Sequence, residues 1–60
     1  MKMVFDERFG EIPVVLARLM RKANVSPADF YAMEYMNMSH SDMLAHIKEN
    51  TINGQYVDRF

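Results

Sequence analysis

Two serines, Ser26 and Ser39, stand thirteen residues apart, and each precedes an aspartate by three positions. A serine hydroxyl at a helix N-cap accepts a bond from the backbone N–H three residues on, and an acid there reaches back to the cap. Pro27 strengthens the first start, because proline at the first helical position gives up an N–H that has no helical partner. Ser26-Pro27-Ala28-Asp29 therefore predicts a helix over about 27–37. Ser39-His40-Ser41-Asp42 predicts another over about 40–50. The two frames match as Ser26-x-Ala28-Asp29-Phe30-x-Ala32 over Ser39-x-Ser41-Asp42-Met43-x-Ala45. They read as two similar starts, since thirteen residues are too few for a solenoid unit.

A third helix precedes these two. Gly10 and Pro13 bracket a boundary, and proline is tolerated only in the first turn, so a helix over about 12–24 is expected. Ile12, Val15, Leu16, Leu19, Met20 and Ala23 recur at three and four residues and form one face. Arg18, Arg21 and Lys22 take the other side, near the C-terminal end, where the helix dipole favours cations. Asn24 suits the left-handed residue that ends a helix, with Val25 folding back.

The fold class that follows is mainly α, a compact three-helix domain with short extended termini. In the tail, Asn53-Gly54 is a turn dipeptide, and Gln55-Tyr56-Val57 beyond it suits a short strand. That strand either pairs with Lys2-Met3-Val4-Phe5 as a two-stranded ribbon or the tail frays. The expected core is Val15, Leu16, Leu19, Met20, Phe30, Met33, Leu44 and Ile47, with Phe5 or Phe9 covering one end.

Length and composition trim the functional menu. Sixty residues allow one domain, 1–60, and a chain this small buries only about 60% of its unfolded surface. With no cysteine, disulfides and thiolate zinc sites are excluded. His40 and His46 sit six apart and face different sides of a helix, so neither a metal nor another cofactor is expected. Asp42 and His46, at i and i+4, are spaced to pair. No serine has an evident base and orienting acid, and a built cleft needs more scaffold than this, so no enzyme is expected. The longest apolar run, Pro13 to Ala17, is too short for a membrane span, and charge interrupts the N-terminus before a signal peptide can form. A cytoplasmic chain without membrane attachment is the expectation.

Two surfaces compete for a partner. The helix at 27–37 is apolar nearly all round: Phe30, Ala32, Met33 and Met36 line one arc, and Tyr31 and Tyr35 lie on another. It is either a central helix with half-covered tyrosine rings, or it presents Tyr31, Tyr35, Met36 and Met38 to a partner. Tyrosine and methionine favour interfaces. The second surface is basic, made of Arg18, Arg21 and Lys22 with Arg8; its plainer reading is a solvated face. A helix-turn-helix is the obvious DNA-binding alternative, but residues 26–50 hold Asp29, Glu34, Asp42 and Glu49 against Lys48 alone. That sign is wrong for a helix facing phosphates. The overall net charge of −1 and pI near 6.0 also argue against nucleic acid.

The expected function is non-catalytic protein binding. The chain reads as an adaptor, assembly factor or inhibitor of a larger protein, of the kind that phage and mobile elements encode. The alternatives are a small helix-turn-helix regulator and a homo-oligomeric structural component.

Overall fold

The structure, a computed structural model, describes residues 2–58. Strand β1 (Met3–Asp6) and strand β2 (Gly10–Pro13) lead into helices α1 (Val14–Lys22), α2 (Pro27–Tyr35) and α3 (His40–Glu49). Strands β3 (Thr51–Ile52) and β4 (Gln55–Tyr56) close the described chain. The three helices stand where expected, but the strands are a substantial second component of the fold.

The expected ribbon between the two ends does not form. Each end instead folds on itself: β1 pairs antiparallel with β2, and β3 with β4. Chain entropy explains the choice, because a hairpin closes a loop of a few residues whereas the ribbon would close one of about fifty. The local turn chemistry is also present. Asn53 (φ 54°) and Gly54 (φ 77°) both take positive φ, the geometry of a two-residue hairpin turn. At the other end Gly10 (φ 80°) follows a three-residue loop, and the Phe9 N–H donates to the Asp6 carbonyl at 3.2 Å. That combination is the usual three-residue hairpin with a left-handed bulge residue.

Helix α1 starts two residues later than expected. Proline pushes the residue before it into extended backbone, so Ile12 belongs to β2, and Pro13 (φ −59°, ψ 142°) caps the helix from outside. Val15 faces outward, 50% exposed, on the side of α1 that carries the exposed Arg18 and Lys22 at i+3 and i+7. The inward stripe runs through Leu16, Ala17, Met20 and Ala23.

Both expected serine caps are in place. The Ser26 hydroxyl accepts from the Asp29 N–H at 3.2 Å, and Ser39 from the Asp42 N–H at 3.1 Å, where Asp42 also returns the bond to complete a capping box. Asp42 is thus a cap and does not pair with His46. Helices α1 and α2 end in the same way. Asn24 (φ 59°) and Asn37 (φ 60°) take the left-handed conformation. The next residues, Val25 and Met38, donate back to the carbonyls of Met20 and Met33 at 2.9 and 3.2 Å. Both ends are Schellman motifs, and each turns an apolar residue inward. The ends therefore fall at Lys22 and Tyr35, short of the expected 24 and 37; α3 likewise ends at Glu49.

The core draws on every layer: Phe9 and Ile12 from the first hairpin, Leu16 and Met20 from α1, Phe30 and Met33 from α2, Met43 and Ile47 from α3, and Tyr56 from β4. Leu19 and Leu44 are only partly buried against it. Of the two phenylalanines expected at the N-terminal end, Phe9 closes it, its ring 5.2 Å from that of Phe30. Phe5 is 72% exposed. Among the described residues, no helix is long and apolar enough to cross a membrane.

Candidate functional site

Helix α2 buries Phe30 and Met33 and leaves Tyr31 and Tyr35 exposed, with the exposed Glu34 between them in the chain. Tyr31 and Tyr35, one turn apart, point outward; Tyr31 is 59% and Tyr35 90% exposed. Met36, at the helix C-cap, is exposed beside them in the chain. Tyr35 is therefore open to solvent, whereas Tyr31 is partly covered. Tyr31 keeps one contact with the core, its ring 6.1 Å from that of Phe30. Met38 sits apart from this group. As the residue that closes the Schellman motif, it turns inward and packs against the core. The face thus comprises Tyr31, Tyr35 and Met36.

The basic residues lie on α1, away in sequence and on a different helix. Arg18 and Lys22 are exposed. Arg21 is engaged within the fold, where its Nη2 donates to Oδ2 of Asp6 at 3.0 Å. Asp6 is the one charged residue buried among the described residues, only 2% exposed. Its other oxygen, Oδ1, accepts from the Arg8 backbone N–H at 2.8 Å. The Arg8 N–H bond, with the Arg21 guanidinium and the Arg8 charge adding to it, holds the Asp6 carboxyl below its ordinary value of 3.8 against the opposing effect of burial. Asp6 therefore ties the first hairpin turn to α1, and it pairs with two of the four basic residues, Arg21 at 3.0 Å and Arg8 at 3.8 Å. Sequence reasoning misses Asp6. The available signal is a carboxylate two residues before Arg8 at the start of a turn ending in glycine.

The second histidine is also committed to the fold. The His46 Nε2 lies 3.0 Å from the Tyr56 hydroxyl, and Asn50 Nδ2 lies 3.3 Å from His46 Nδ1. The Tyr56 N–H donates to the Ala23 carbonyl at 2.8 Å, so one residue of β4 joins the ends of α1 and α3. Burial, with Asp29 and Asp58 adding negative charge, pushes the Tyr56 phenol above its ordinary 10.0. Among the described residues, no group of three or more His, Cys, Asp or Glu could hold a metal ion.

One hollow, about 300 Å³, is lined by Leu19, Lys22, Ala23, Lys48, Thr51 and Gly54. Its two lysines stand in the last turns of α1 and α3, where cations complement the helix dipoles. They have a structural account without a ligand.

The chain matches no protein-family model, no curated protein and no solved structure.

Proposed function

We propose that this chain is a non-catalytic protein-binding module that docks on a larger protein through Tyr31, Tyr35 and Met36 on α2. The observation that carries the reading is a 90% exposed Tyr35 beside an exposed Tyr31 and Met36, on a helix whose inner face is already fully packed. The fold does not need these apolar side chains, and contiguous exposed apolar groups on a small domain mark contact surfaces. Tyrosine supplies large, rigid area at low entropic cost, and its hydroxyl bonds at the wet rim. The proposed role is that of an adaptor, assembly factor or inhibitor, since a compact helical surface suits occluding or bridging a larger one.

The test is affinity capture from the native host with the wild-type chain and with Tyr31→Ser/Tyr35→Ser, read by mass spectrometry. The double variant should keep its far-UV CD spectrum and lose the captured protein. Capture of the same protein at the same yield by the variant would overturn the proposal. Groove reading by α3 has weaker support, because four acids against one lysine over residues 26–50 repel phosphates.

A further inference from the structure

The first hairpin carries a second unsatisfied surface, and its hydrogen-bonding groups identify what fits it. The Val14 N–H donates to the Lys2 carbonyl at 2.9 Å, and the ladder pairs Val4 with Ile12 and Asp6 with Gly10. Antiparallel ladders alternate, so Lys2, Val4 and Asp6 turn their backbone groups toward β2. Met3 and Phe5 turn theirs to the free side of β1.

The two free edges of this hairpin differ. On β2 the outward positions are Glu11 and Pro13, a charge and a residue with no N–H, both common devices for blunting an edge. On β1 the outward positions are Met3 and Phe5, in the run Met3-Val4-Phe5, which has no charge, no proline and no bulge, and all three side chains are exposed. Among the described residues, the edge left open is therefore the apolar one.

We infer that β1 pairs antiparallel with β1 of a second copy of this chain, about a two-fold axis through Val4. In that register Met3 faces Phe5 of the second copy, and both have outward backbone groups. Each of the two equivalent pairs then exchanges two hydrogen bonds. The neighbouring register, shifted by one residue, sets outward groups against inward ones and fails. Val4 meets Val4 of the second copy in a non-hydrogen-bonded pair, where side chains approach closest. The charges are complementary as well. Lys2 stands before the apolar run and the exposed Glu7 stands after it, so antiparallel pairing brings Lys2 near Glu7 of the second copy, while Asp6 stays paired with Arg21 inside each chain. The two hairpins become one four-stranded sheet.

A strand pair this short covers less than the roughly 1,200 Å² of a stable interface. The dimer is therefore weak, with half-association at about 0.1–1 mM. The inference does not rest on the α2 face.

Sedimentation equilibrium at about 1 mM protein should give a mean mass rising from 7.1 kDa toward twice that value. A chain of sixty residues is within reach of chemical synthesis, so single backbone N–H groups can be removed by N-methylation. N-methylation at Phe5 should abolish the association, while N-methylation at Glu11, on the other free edge, should leave it intact. Val4→Lys, which sets two ammonium groups together on the axis, should raise the dissociation constant at least tenfold. A monomer at about 1 mM would overturn the inference. So would a dimer that persists with N-methyl-Phe5, or one abolished by Tyr31→Ser/Tyr35→Ser.

Discussion

Helices α1 and α2 are built from the same parts and differ on one face. Each has nine residues, each ends at an asparagine in the left-handed conformation, and each buries large apolar side chains in the same core, Leu16 and Met20 from α1, Phe30 and Met33 from α2. Toward solvent, α1 carries Arg18, Arg21 and Lys22 while α2 carries Tyr31, Tyr35 and, at its cap, Met36. The inner faces are a requirement of folding. The outer faces are less constrained by folding, and the aromatic exterior of α2 is the feature on which the proposed docking rests.

The likeness of the two helices is tested most severely in the core. Leu16→Ala on α1 and Met33→Ala on α2 remove fully buried side chains, and each should cost about 2–5 kcal/mol in chemical denaturation. Equal costs would confirm that the inner faces are equivalent. A chain of this size has little stability to spare, so both are best measured with a stabilising osmolyte present.

The next effect belongs to α1 alone. Asp6→Asn keeps the shape of the side chain but loses the charge that faces Arg21, and should cost about 1–3 kcal/mol. The same group sets the acid limit. Its folded pKa lies below the unfolded value, so its contribution is complete above about pH 4 and is lost as pH falls through the lower folded value. Wild type should lose stability in that acid window, and Asp6→Asn should show a flatter profile there.

A smaller and symmetrical effect tests the helix ends. Asn24→Ala and Asn37→Ala force a β-carbon-bearing residue without a helpful amide into positive φ, at about 1 kcal/mol each. Asn→Gly at either site should be neutral or stabilising. For a domain this small, about 1 kcal/mol moves Tm by about 4–8 °C, which calorimetry resolves.

The smallest change bears most directly on the outer faces. Tyr31→Ser and Tyr35→Ser should each change stability by no more than about 0.5 kcal/mol, as expected for exposed positions. A cost well above that would show that the aromatic exterior supports the fold.

How much of this is legible depends on the range of each interaction. The serine caps, the left-handed Asn24 and the proline at the start of α2 are readable because each acts within three or four residues. Asn37-Met38-Ser39 repeats Asn24-Val25-Ser26 at the same thirteen-residue period, so the second Schellman ending is readable too. Overlooking it puts Met38 on the outer surface. Asn53-Gly54 reads as a turn, yet the expectation of a ribbon with the N-terminus passes over its own flanks, Thr51-Ile52 and Gln55-Tyr56, as the paired strands. That dipeptide is nonetheless a strong local hairpin signal. Asp6 is a different case: its partner Arg21 lies fifteen residues away, beyond any local pattern.

The sequence by itself determined three helices, their caps, the absence of disulfides and the supply of core side chains, because these follow from neighbouring residues and composition. Only the tertiary structure decided which apolar side chains stayed outside. Val15, Phe5, Tyr31 and Tyr35 resemble core residues in isolation, and burial depends on how the elements meet in space. The same packing sank Asp6 beneath Arg21, drew Arg21 and Arg8 into ion pairs, and left apolar side chains of α2 and β1 exposed.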